Sequence, residues 1–197
     1  MEIIDISQEL FSSVVFPGDT PPTPRRVMSI SNGDAVNLTD VTMCAHNSTH
    51  IDAPCHFIDG GASVEQLDLH RFVGTADVIT VFGVADAETL SHLIPLDCKR
   101  LLIRGADYIT PDGARLIVEQ GILLVGVEAQ SVGDPKAPRE THIILLSSNV
   151  GILEGLRLKN APDGRYFLSA APINMGGSDG APCRAVLISD ITTDITL

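Results

Sequence analysis

From residue 78 to residue 127, apolar strand-like runs alternate with well-signalled helix starts, and this pattern constrains the fold more than any other. Val78 to Phe82 reads as a buried strand, and Asp86 opens a helix through Leu93. Leu101 to Arg104 and Ile122 to Val127 read as two further strands. Between them, Thr110-Pro111-Asp112 supplies a cap, a proline at the first helical position and an acid in the first turn. The helix so started carries Ala114, Leu116, Ile117 and Val118 and stops at Gly121. Strands joined by helices pair in parallel, so the expected class is α/β. A chain of 197 residues with 44% hydrophobic content suits one domain, 1–197. In α/β proteins, functional residues often sit beyond the C-terminal ends of strands. That points to Gly126-Val127-Glu128-Ala129-Gln130-Ser131.

The flanks are less regular. Ile3 to Ser7 reads as a first strand. Phe16 to Pro24 holds four prolines in nine residues, which predicts an ordered loop with no regular ladder and a possible pocket wall. Val27 to Ile30 and Val36 to Met43 have strand composition around the turn Asn32-Gly33-Asp34. Ser63 with Gln66 three residues on is a capping box, and predicts a short helix through Leu69.

The chemistry concentrates at residues 46 to 56. Three of the six histidines fall there, as His46, His50 and His56, with Asp52 among them. All four, like Ser48 and Pro54, are even-numbered, so an extended segment would turn them to one face. A helix reading is poorer, because Pro54 disfavours helical backbone at Ala53. Fully extended, the segment would span roughly 33–36 Å, too long for one ion with ligand bonds of about 2 Å. It must bend, or serve more than one centre. Imidazole nitrogen and carboxylate oxygen are the usual ligands of a hydrolytic divalent metal, and the two oxygens of Asp52 allow it to bridge two ions. The alternative is a polar loop of hydrogen-bonded structural histidines; a lone histidine would favour it, and this cluster does not.

Composition excludes several classes. No apolar run reaches the roughly 18–20 residues a bilayer requires. Net charge is −12 with no basic stripe, which argues against nucleic acid. The opening Met1-Glu2-Ile3-Ile4-Asp5 lacks the basic region and apolar core of a secretory signal. Cys44, Cys55, Cys98 and Cys183 form no C-x-x-C pair and read as reduced thiols, so a cytoplasmic location is expected. Cys55 beside His56 is read as a bystander rather than a nucleophile, and His70 and His92 as surface residues. There is no phosphate-binding glycine loop. Downstream, His142 is followed twelve residues later by Glu154, an acid at the end of the strand-like Val150-Gly151-Ile152-Leu153. A carboxylate there is costly unless it binds something.

His46-Asn47-Ser48-Thr49-His50-Ile51-Asp52-Ala53-Pro54-Cys55-His56 resembles the H-x-G-T-H-x-D-x-P-x-H signature of the cyclase family of metal-dependent hydrolases, with Ser48 in place of glycine. Phe16-Pro17-Gly18-Asp19, Gly126-Val127-Glu128 with Ser131, the His142 to Glu154 spacing and Gly177 to Val186 extend the likeness over nearly the whole chain. The resemblance implies an α/β fold with a β-barrel-like mixed sheet flanked by helices, of swivelling β/β/α type, and a homo-oligomer, dimer or tetramer. It implies two divalent ions, zinc or manganese: His46, His50 and Asp52 for one, Asp52, His142 and Glu154 for the other, with His56 as the acid/base. A divalent ion lowers the pKa of water from 15.7 to about 7, so the implied reaction is attack of activated water on a small-molecule amide, lactam or lactone. Formylkynurenine-type substrates call for an aromatic wall. The chain has no tryptophan and 4% aromatics, with Phe11, Phe16 and Phe57 as candidates. The alternatives are a single-manganese lactam or lactone hydrolase and a non-catalytic metal-binding protein.

Overall fold

The computed structural model describes residues 1–189. A first strand, β1 (Glu2–Asp5), is followed by a hairpin of β2 (Thr23–Met28) and β3 (Leu38–Thr42), and by the short β4 (His50–Asp52). The alternating unit then runs β5 (Val73–Ala85), α1 (Ala87–Leu93), β6 (Arg100–Ile109), α2 (Pro111–Glu119), β7 (Leu124–Val127), α3 (Arg139–Ser147) and β8 (Gly151–Glu154). Three strands follow: β9 (Gly164–Ser169), β10 (Gly180–Pro182) and β11 (Val186–Ser189).

Nine strands form one sheet in the order β1-β11-β9-β5-β6-β7-β8-β4-β10. The four central neighbours β5, β6, β7 and β8 pair in parallel, and every other pair is antiparallel. The mixed sheet curls into a half-barrel flanked by three helices, as expected from the sequence. Alternation along each strand feeds two cores. Leu101 and Ile103 of β6 face the helices and pack with Leu90, Ile117 and Leu145. Leu102 between them faces the hollow of the curl, with Ile51, Phe72, Leu153 and Leu168. Among the described residues, no helix is long and apolar enough to cross a membrane.

The helix caps are where the sequence places them. The Asp86 carboxylate accepts from the Thr89 N–H at 2.8 Å, and the Thr110 hydroxyl from the Gly113 N–H at 3.2 Å. Other expectations need correction. The predicted helix from Ser63 through Leu69 is two separate 3₁₀ turns, Val64–Gln66 and Leu69–Arg71. The Ser63 capping box forms, but Leu67 is extended and Asp68 caps afresh, accepting from the His70 N–H at 3.0 Å. Arg100 of β6 pins the second turn by donating to the carbonyls of His70, Arg71 and Thr75. The Phe16–Pro24 loop gives way to β2 at Thr23, so Pro24 lies in a strand. Among the described residues β2 pairs only with β3, and a proline without a donor is tolerated on such an edge. Ile30–Asn32 is a 3₁₀ turn rather than the end of a strand. The apolar run Ile143 to Leu146 belongs to α3, which the sequence left unassigned because an uninterrupted apolar run carries no period.

Candidate metal centre

The segment 46 to 56 is a strand only at β4, with Ala53 extended beyond it, so its ligands do not share one face by alternation throughout: the chain bends at both ends, as the length of the segment required. At the front, Asn47 folds a turn, its N–H donating to the Cys44 carbonyl at 3.2 Å and its side-chain oxygen accepting from the Cys44 N–H at 2.9 Å. Ser48 then takes φ +63°, the left-handed region where the family signature has glycine. Its hydroxyl donates to the Gln8 carbonyl at 3.1 Å, which helps to hold it there. At the back, Pro54 starts a 3₁₀ turn, Pro54–His56, that carries His56 round. Two glycines make the close approaches possible. A Cβ on Gly155 would lie 2.3 Å from the Ser48 carbonyl oxygen, and one on Gly180 would lie 2.5 Å from the His46 ring.

Strand pairing brings the two halves of the ligand set together. β4 lies between β8 and β10, with His50 opposite Glu154 and Asp52 opposite Gly180. His142 reaches the same place from the buried face of α3. Two imidazoles are oriented alike. The His50 Nδ1 lies 3.1 Å from the Ser48 carbonyl, and the His142 Nδ1 lies 2.8 Å from the Pro138 carbonyl. Carbonyl oxygen only accepts, so each Nδ1 carries a proton, and in the neutral ring that metal binding requires each Nε2 keeps its lone pair. The His50 Nε2 faces Asp52 Oδ1 and Glu154 Oε2, both at 3.4 Å. The His142 Nε2 faces Glu154 Oε1 at 3.3 Å and Asp52 Oδ2 at 3.6 Å. Backbone-anchored imidazoles with the second nitrogen aimed at carboxylates are the outer-shell arrangement of metal-ligating histidines.

His46 and His56 complete the group. Their rings stack with centroids 4.0 Å apart. The His46 Nδ1 is 2.9 Å from Asp52 Oδ1. Asp179, just before β10, places Oδ2 3.3 Å from both His46 Nε2 and His56 Nδ1. All six residues named from the sequence, His46, His50, Asp52, His56, His142 and Glu154, thus meet at one place. Two groups have ligand atoms within 4.8 Å of one another, His46–Asp52–His56 and His50–Asp52–Glu154. Asp52 belongs to both. The grouping differs from the division implied by the resemblance, with His50 beside Glu154 and His56 beside His46.

The electrostatics fit a cation site. Burial alone would lower the His50 pKa, but Asp52 and Glu154 on either side raise it to about 10. Burial opposes the charged form of His46 and His142 too, yet Asp52 raises the first and Glu154 the second. Burial would raise the Asp52 carboxyl, and His46 and His50 hold it below the usual carboxylate range. Among the four imidazoles of the site only that of His56 moves down, because burial and then the repulsion of His46 outweigh the pull of Asp52 and Asp179. The Asp52 Oδ2 and the His46 Nε2 are buried without a hydrogen bond. Orphaned ligand atoms in a set of imidazoles and carboxylates fit a divalent ion of the zinc or manganese type.

The centre forms the floor of a cavity of about 210 Å³. Phe16, Asp19, Phe57, Gln130, Ser131 and Pro138 supply its walls. Phe57 stacks on His142 with centroids 4.2 Å apart. Of the three candidate aromatics, Phe16 and Phe57 line the cavity and Phe11 does not. Cys55 lies outside its lining, with Sγ 3.7 Å from the Ser178 carbonyl, and burial and Asp179 push its thiol up. Asp179 is the functional candidate that sequence reasoning left without a role; its only signal was its place before Gly180 in a stretch similar to the family.

The family model described as putative cyclase matches residues 4–101. Kynurenine formamidase of Bacillus mycoides (strain KBAB4) is 35% identical over 201 residues, covering 93% of this chain and 96% of that protein. The chain belongs to the cyclase family. Among solved structures of similar fold, a potential metal-dependent hydrolase with cyclase activity superposes with a TM-score of 0.82 at 28% identity, covering 94% of this chain and 96% of that one. Isatin hydrolase A from Labrenzia aggregata shares the family fold with a TM-score of 0.81 at 22% identity, covering 96% and 94%.

Proposed function

We propose that this cyclase-family chain is a metal-dependent hydrolase of a linear or cyclic amide C–N bond, similar in reaction to an arylformamidase. The observation that carries the reading is the matched pair His50 and His142, each with Nδ1 on a backbone carbonyl and Nε2 toward Asp52 and Glu154. In this reading His46, His50 and Asp52 hold one zinc or manganese ion, and Asp52, His142 and Glu154 a second. Such ions, when bound, activate water and polarise a carbonyl. The protein supplies the rest. Phe16 and Phe57 supply an aromatic part of the cavity wall. His56, with Nδ1 directed to Asp179, keeps its other nitrogen to take a proton from the attacking water and return it to the leaving nitrogen. Asp179 orients that ring.

The same site accommodates a lactam in place of a linear amide, since the bond broken and the proton moved are the same. A closed structural metal site is disfavoured, because the ligand set opens on the cavity. The reading places the enzyme in the cytoplasm as a homo-oligomer, acting on a small molecule. The β2–β3 hairpin supports the assembly: among the described residues it pairs with no other strand and leaves Val27, Val36, Leu38 and Val41 exposed. The test is elemental analysis of protein purified without chelator, together with hydrolysis of a panel of aryl formamides and cyclic lactams. Close to two ions per chain and chelator-sensitive hydrolysis are expected. Absence of metal, or activity unchanged by chelation, ends the reading.

A further inference from the structure

Two polar side chains of the cavity wall have no hydrogen-bond partner among the described residues and no part in the centre just described. The Gln130 Oε1 and the Ser131 Oγ are both buried without a hydrogen bond, and both residues line the cavity. Ser131 is only 8% exposed. A buried acceptor left unmatched is destabilising, and such groups are few in a folded protein. These two are also held in place. The Ala129 carbonyl, just before them, accepts from the Gly155 N–H at 2.9 Å, and the Val132 N–H, just after them, donates to Glu154 Oε1 at 2.7 Å. The pair is thus clamped at both ends to the metal-ligand strand, one residue from Glu154 on one side and on Glu154 itself on the other. Glu128, the acid of the same stretch, is used elsewhere: it accepts from the Leu158 and Gly105 N–H groups.

We propose that Gln130 and Ser131 form a polar subsite that accepts the N–H of a secondary amide or lactam, and so selects such substrates against lactones and N-alkylated amides. The proposal rests on the hydrolase reading above and narrows its substrate. The Gln130 Oε1 only accepts. An amide N–H satisfies it, whereas the ring oxygen of a lactone sets two acceptors against each other and an N-methyl group fills the space with nothing to give. The Ser131 hydroxyl can donate or accept and serves the same edge. Because the clamp fixes this pair relative to Glu154, an N–H received there keeps the neighbouring carbonyl beside the metal ligands.

The experiment uses zinc- or manganese-loaded protein and two matched pairs: isatin with N-methylisatin for turnover, and benzohydroxamate with N-methylbenzohydroxamate for binding by calorimetry. Wild type is expected to prefer each N–H compound by about tenfold or more, the scale of one hydrogen bond to a buried group. Gln130→Leu, with metal content and circular dichroism unchanged, should cut that preference to about twofold or less, with Ser131→Ala between the two. A purely steric penalty on the methyl group would persist in Gln130→Leu, so an undiminished preference overturns the proposal. So does a wild type with no preference, or a metal-loaded wild type that binds neither hydroxamate. The wild-type comparison stands if the variant fails to fold. The two readings fail differently: protein that takes up no metal defeats the hydrolase reading, whereas protein that loads metal and hydrolyses isatin without regard to N-methylation defeats only this one.

Discussion

Asp52 offers Oδ1 to His46 and His50 and Oδ2 to His142, so a single carboxylate addresses both sides of the centre. Asp52→Asn keeps its size and removes its charge. Two cations would then face each other with less compensation, and their repulsion at short range in a low dielectric is large. The variant should bind at most one ion in a metal titration, while Glu154→Gln keeps the first; two tight ions in Asp52→Asn would mean another group is the bridge. His56 calls for a different comparison. His56→Ala should keep most of its metal and lose about 10²–10⁴ in kcat. Asp179→Asn should lower kcat by less, with KM little changed. Loss of metal in His56→Ala would make His56 a ligand, an outcome its place beside His46 and Asp52 makes worth measuring. Ser48 shows how a departure from a family signature is absorbed: it adopts the glycine-like φ of +63° and recovers a hydrogen bond to Gln8.

At the scale of elements, the sequence was legible wherever a period or a cap stood out. The unit from β5 to β7 could be read because apolar runs alternate with capped helices, and Asp86 and Thr110 cap where their chemistry says. α3 could not, because its apolar run has no period. In the segment 46 to 56, alternation holds only at His50–Asp52, where β8 and β10 pair on either side; beyond them the Asn47 turn and Pro54 take over. The candidate ligands of that segment stood out as a cluster of histidines and an aspartate, and their division between two ions came from resemblance to the signature. The role of Asp179 did not, because it lies 123 positions from His56 and arrives only through the pairing of β10 with β4. That pairing is itself testable. Gly180→Ala puts a methyl group against the His46 ring, where a Cβ would sit 2.5 Å away. Its circular dichroism should match wild type and its metal affinity should fall. Unchanged affinity would show that His46 has room to move.

For the whole molecule, the proposed reading sets protons and metal in competition for the same buried side chains. With its folded-state pKa raised from 6.5 to about 10, His50 in protein stripped by chelator contributes stability that is fully present below about pH 6.5. That contribution drains away as pH rises toward about 10. The melting temperature of chelator-treated protein should therefore fall across this window, whereas metal-loaded protein should hold steadier, its cations replacing the proton between Asp52 and Glu154. A flat profile for the stripped protein would show that His50 carries no such proton. The juxtaposition of β4 with β8 has a consequence for biosynthesis. Everything from β5 to α3 separates these strands along the chain, so a growing polypeptide emerges from the ribosome with His46, His50, Asp52 and His56 already made and Glu154 still to come. Until then it has half a clasp. On the proposed reading a metal pair can close only once the later strand has slotted beside the earlier one, so a full complement of ions is a record that β8 has docked on β4.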